Sequence, residues 1–284
     1  MENSILEMAY FGVAGNFTGH LEQAGEDKDF KNLKAESEFA PKAIFPTYLP
    51  SKNLNGSVPN FLKTFPFSSG EIIFPFGEEK IQIESECGII FNAIWKNDFL
   101  EDLVPESFAA SNDCSIRKEG AKKISLKKNW GEKSKGLSEQ KIPLKDFSEN
   151  GILEHYRIAS FLIRNGKIFD YGEDSAVRNY SYIYAKLKKW MIEKFNFQKD
   201  EGPAEDLHSY LLDCGKPKKI FVSIGATRYT DFGEHNFLQK NDETSVILYP
   251  ENKFSHEEIK NFAMDKNFFN PEISVLRQKI IVKD

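Results

Sequence analysis

The sequence predicts an α+β fold, predominantly β, with a few peripheral helices. Three observations carry this. Short apolar runs of strand length recur along the chain: MAYFGVAG (8–15), EIIFPFG (71–77), KIQIESECGIIFNAIW (80–95), KIFVSIGATRYT (219–230), VILYP (246–250) and VLRQKIIVK (275–283). Residues 154–171 hold two alternating runs about Asn165-Gly166, the strongest short hairpin signal. Helical spacing is confined to a stripe of Val177, Tyr180, Ile183, Tyr184, Leu187, Trp190 and Met191 and to SHEEIKNFAMD near the C-terminus.

At 284 residues the chain can bury a large core as one domain spanning 1–284. Residues 40–70 carry Pro41, Pro46, Pro50, Pro59 and Pro66, which preclude a long helix, so 1–70 reads as a covering segment over a core at 71–284. Asp174-Ser175 is placed to cap a helix running to about Phe195, and Ser255 with Glu258 forms a capping box.

Composition excludes several classes. The net charge of −5 argues against a nucleic-acid surface. The basic stretch 117–136 reads first as a solvated loop, with a lysine folded over an anionic substrate as another use. No apolar run reaches a membrane span, and the start lacks the pattern of a signal peptide. Cys87, Cys114 and Cys214 are odd in number and lack CxxC spacing, so they read as packing residues in a reducing compartment. The expected location is the cytoplasm.

The chemistry concentrates in 81–117. Period-2 alternation puts Glu84 and Glu86 on one face of a strand, about 7 Å apart. Two such carboxylates can share a cation, though a solvated strand face is the commoner use. The strand continues as Gly88-Ile89-Ile90-Phe91, apolar on both faces and therefore central, and an acid beside a buried strand needs a partner. Asp113 follows downstream. Upstream, Gly15, Gly19 and Gly25 flank His20, giving it a loop's freedom to reach a site.

In this order the segments resemble the fumarylacetoacetate hydrolase superfamily. The matching stretches are Gly15-Asn16-Phe17-Thr18-Gly19-His20, Phe65-Pro66-Phe67-Ser68-Ser69, Glu84-Ser85-Glu86-Cys87-Gly88-Ile89-Ile90 and Asn112-Asp113-Cys114-Ser115-Ile116-Arg117. A lysine loop, the Asn-Gly hairpin, a helix and a strand ending in Gly225 follow. The resemblance implies a mixed β-sandwich or β-roll. It implies Mg²⁺ or Mn²⁺ on Glu84, Glu86 and Asp113, and a homodimer. It implies a small 2-oxo or 2,4-dioxo acid as substrate, with Arg117, Gly225 and Thr227 at the substrate. The reaction implied is C–C hydrolysis of an acylpyruvate-like compound, with decarboxylation, hydration or non-catalytic metabolite binding as alternatives. Lys135 or Lys133 would stabilise the enolate. In the family a glutamate three residues after the histidine orients it; here Gln23 stands there and Glu22 lies one place early. The family's threonine after the strand-ending glycine is displaced to Thr227 by Ala226.

Overall fold

The computed structural model describes residues 5–25, 37, 39–53, 55–118 and 120–282. The continuation of the His20 loop through 26–30 lies outside them. The strands are β1 (Ala9–Ala14), β2 (Ala43–Tyr48), β3 (Phe67–Ser68), β4 (Glu71–Ile73), β5 (Ile81–Gln82), β6 (Ser85–Lys96), β7 (Phe99–Asn112), β8 (Ser115–Ile116), β9 (Lys135–Leu137), β10 (Ile142–Pro143), β11 (Tyr156–Arg164), β12 (Lys167–Ala176), β13 (Lys219–Ala226), β14 (Glu243–Pro250) and β15 (Ser274–Ile281). The helices are α1 (His20–Gln23), α2 (Ser125–Lys128), α3 (Tyr184–Phe197), α4 (Leu207–Asp213), α5 (Asp231–His235) and α6 (His256–Met264).

The strands form two mixed sheets. The larger runs β2-β1-β13-β6-β7-β9-β3, with β10 also on β7; the smaller runs β12-β11-β14-β15-β4. A two-stranded ribbon pairs β5 with β8. One apolar core draws Phe11, Ile89, Phe91 and Phe108 from the larger sheet and Ile158, Val246, Leu248 and Leu276 from the smaller. Leu187, Trp190, Met191 and Phe195 of α3 close its side, so the helical stripe is core packing as its spacing predicts. The architecture is the expected α+β, predominantly β, mixed sandwich. Among the described residues no helix is long and apolar enough to cross a membrane.

Local chemistry explains the elements. Asn165 and Gly166 both hold positive φ, as the two-residue turn between β11 and β12 demands. The Ser255–Glu258 capping box opens α6 as predicted. The first seven residues of β6, Ser85 to Phe91, are all buried, confirming a central strand. A side chain at Gly88 would run into the Phe221 ring of the neighbouring β13, so the strands close there only over glycine.

Within residues 1–70, β1 is the strand expected at 8–15; it lies parallel to β13, with β2 antiparallel on its other side. One expectation changes. Asp174-Ser175 does not cap a helix: β12 runs through both to Ala176, and α3 begins at Tyr184. The reason lies in Asp174's partners. Its carboxylate accepts from Arg157 Nε at 2.8 Å, from Tyr249 Oη at 2.5 Å, and sits 2.8 Å from His256 Nδ1. Those groups come from β11, β14 and α6, so the side chain is committed across the smaller sheet rather than to a helix terminus. Asp174→Ala is expected to lower unfolding free energy by about 2 kcal/mol, because it strands three polar partners at once; urea denaturation measures it.

Candidate metal centre

The strand predicted for 80–95 is interrupted at Ile83-Glu84, between β5 and β6. The break is held by Asn112. Its side-chain oxygen accepts from the Glu84 N–H at 3.1 Å, and the Asp113 N–H donates to the Glu84 carbonyl at 3.0 Å. The amide of Asn112 donates onward to Gln278 at 2.9 Å. The Asn-Asp pair therefore works as a unit: the asparagine fixes the backbone of one acid and the aspartate supplies the next. Glu84, Glu86 and Asp113 are all buried, and each brings an oxygen within 4.8 Å of the others.

Cations surround them. Arg117 Nη2 lies 2.7 Å from Glu84 Oε1, and Lys128 Nζ lies 2.6 Å from Glu84 Oε2 and 2.7 Å from Asp113 Oδ2. Lys135 Nζ lies 2.7 Å from Asp113 Oδ1 and 2.5 Å from the Cys114 carbonyl. Burial alone would raise the Glu84 carboxyl, but Lys128 and Arg117 outweigh it and hold that group well below its ordinary value. Glu86 goes the other way. Burial, with Asp113 and Glu84 close by, pushes its carboxyl well above the usual range. Its contact at the end of β13 is the Gly225 N–H, at 3.3 Å. Burial pulls the Lys135 amine down, against the attraction of Asp113.

Lys135 is fully buried on β9, where pairing of Gly136 with Asn112 sets it beside Asp113. A Cβ on Gly136 would meet Gln278, which explains the Lys-Gly step. Lys133, the other candidate, does not reach the acids: it holds positive φ and pairs with Glu71 at 2.5 Å, with both side chains over 40% exposed. Arg117 also donates to Gln82 at 2.8 Å and to the Tyr229 hydroxyl at 2.6 Å. The Thr227 hydroxyl lies 2.9 Å from that of Ser85, so it is engaged within the fold.

His20 opens the short α1 after Gly19 and is buried, with its ring 5.4 Å from the Tyr229 ring. Glu22 is exposed. Gln23 donates to Glu234 at 3.1 Å and to the Tyr229 carbonyl at 3.2 Å, and accepts from the Tyr229 N–H at 3.0 Å. Gln23 is thus a tether between α1 and α5. His20, Phe45, Glu84, Glu86 and Lys128 line a cleft with a cavity volume of about 10 Å³, the space of one water.

Hard oxygen donors in this number fit Mg²⁺ or Mn²⁺, and their burial in a cleft fits a bound ion. The basic stretch, read first as solvated, delivers Lys127, Lys128 and Lys135 to buried positions. Lys128 had no distinguishing signal among Lys122, Lys123, Lys127 and Lys128 beyond the flanking Ile124 and Trp130. Tyr229, which joins Arg117, His20 and Gln23, was equally unmarked. Burial pushes the thiols of Cys87 and Cys114 up, that of Cys114 to about 12, as befits packing residues.

Solved structures share this fold. A 2-keto-3-deoxy-D-arabinonate dehydratase, complexed with magnesium and 2,5-dioxopentanoate, matches with a TM-score of 0.55 and 11% identity over 97% of this chain and 73% of that one. A 5-carboxymethyl-2-hydroxymuconate delta-isomerase from Mycobacterium smegmatis matches at 0.52 and 13% over 98% and 80%. A Yersinia pestis protein described as of the fumarylacetoacetate hydrolase family matches at 0.50 and 12% over 96% and 93%. No curated protein matches the chain in sequence. The class defined is therefore the fumarylacetoacetate hydrolase fold. Within it, the chain belongs to the family of unknown function DUF5718, whose model matches residues 26–280.

The helix that carries Lys128 has its own anchor. Ser125 donates to Glu205, whose carboxyl burial pushes up to about 8 from 4.5. The folded protein keeps this proton where the unfolded chain loses it. That stability is complete below about pH 4.5 and is lost as pH rises to about 8. Glu205→Gln is expected to flatten the fall, gaining on the order of 2–4 kcal/mol relative to wild type between pH 5 and pH 8.5; denaturant titrations across that range check it.

Proposed function

We propose that this chain is a divalent-cation-dependent enzyme acting on a small 2-oxo acid through an enolate. The observation that carries this is the buried triad of Glu84, Glu86 and Asp113 with Lys135 against it. The magnesium and the dioxo acid in the similarly folded dehydratase support the same reading. Glu84, Glu86 and Asp113 would hold Mg²⁺ or Mn²⁺, which when bound supplies a Lewis acid toward the 2-oxo group.

The remaining work falls to this chain's side chains. Lys135, a cation with no access to bulk water, favours negative charge developing on the substrate oxygen. Arg117, fixed by Gln82 and Tyr229, holds Glu84 in place and adds positive potential for a carboxylate substrate. His20 on the cleft wall is the group placed to move a proton. C–C hydrolysis of an acylpyruvate also needs an activated water. Gln23 is spent on Tyr229 and Glu234, so loss of CO2 from a 2-oxo acid that carries a second carboxylate β to its keto group, which leaves the enolate and then needs a proton but no activated water, stands beside hydrolysis as the reaction to test.

The test is turnover of oxaloacetate and a set of acylpyruvates with millimolar Mg²⁺ or Mn²⁺. Activity should fall by about 10²-fold or more in Glu86→Ala and in Lys135→Met, with the fold retained by circular dichroism. Absence of turnover on the whole panel, with metal shown to be bound, would overturn the proposal.

A further inference from the structure

We propose that Lys128 is a built-in competitor for the metal: its ammonium occupies the gap between Glu84 and Asp113, and a divalent ion enters only when that side chain withdraws. The inference rests on the reading that the triad takes such an ion. Nζ lies 2.6 Å from Glu84 Oε2 and 2.7 Å from Asp113 Oδ2, at once and in a buried position. Glu84 and Asp113 would each give an oxygen to Mg²⁺, and the ammonium takes up one oxygen of each.

Charge leads to the same result. Three carboxylates already face three cationic side chains, Lys128, Lys135 and Arg117. Two further positive charges would add to a site with no negative charge left to meet them. Removal of the Lys128 ammonium restores the deficit that a metal fills. Arg117 is also tied to Gln82 and Tyr229, and Lys135 to the Cys114 carbonyl.

Space points the same way. With Lys128 on its wall, the cleft has room for about one water, too little for a 2-oxo acid. Lys128 is the last residue of the four-residue α2, and the backbone beneath it stays anchored; on leaving, its Nζ also gives up a cation–π contact 5.3 Å from the centre of the Phe45 ring. Ser125 holds Glu205 on one side, and Asn129 donates to the Thr47 and Thr64 carbonyls on the other. Only the side chain needs to swing. Its departure frees two oxygens for the ion and opens the cleft for a substrate in one motion.

The test is calorimetric titration of Mn²⁺ into wild type, Lys128→Met and Lys128→Gln, with thermal melting as the check on folding. Both variants are expected to bind Mn²⁺ about tenfold or more tightly than wild type, since a like charge has left the site. Equal affinity in all three overturns the competition and leaves the metal reading intact. Binding in none overturns both. Should the variants not fold, wild type alone decides: mass spectrometry after brief amine acylation should show Lys128 modified more in saturating Mn²⁺ than without it. Unchanged modification with Mn²⁺ bound overturns the proposal.

Discussion

Three acids closed off from water cannot hold their charge unsupported, and the ends of the larger sheet's inner strands are arranged around that constraint. Each carboxylate meets it differently. Glu84 is flanked by Arg117 and Lys128, Asp113 by Lys128 and Lys135, and Glu86 has its carboxyl shifted up and rests on a backbone N–H. The supports come from sequence-distant places: the residue after β8, the end of α2, β9 and the end of β13. Bringing them together requires the strand order β13-β6-β7-β9. The glycines at 88 and 136 serve the same end, because they let neighbouring strands and Gln278 approach closely enough to seal the cluster.

Much of this was legible in the chain because some signals are local. The Asn165-Gly166 turn, the Ser255–Glu258 box and the two-faced apolar run after Glu86 each rest on a handful of adjacent residues, and each folds as it reads. The pairing of Glu84 with Glu86 by alternation assumes a simpler geometry than the real one. The strand breaks at Ile83-Glu84, and the clamp that sets Glu84 comes from Asn112, 28 residues away.

What stayed hidden depends on long-range partners. Asp174 looks like a helix cap until Arg157, Tyr249 and His256 arrive from other elements to take its oxygens. Lys133 and Lys135 are equivalent as letters, and only strand pairing turns one inward and leaves the other with Glu71. Lys128 lies in a run of similar lysines, and its role is set by Glu84 and Asp113, which the sequence places elsewhere. Gln23, in a position where an acid partner for His20 is expected, proves to be a tether to Tyr229 and Glu234.

The ammonium between Glu84 and Asp113 also bears on how the molecule comes to exist. A cluster of buried acids that depended on an ion from solution would leave the nascent chain waiting for supply, and a chelator would unmake it. Here the counter-charge is encoded in the polypeptide and arrives in fixed proportion with every copy synthesised. The charge balance that these buried acids need in order to fold is thereby met by side chains of the chain itself.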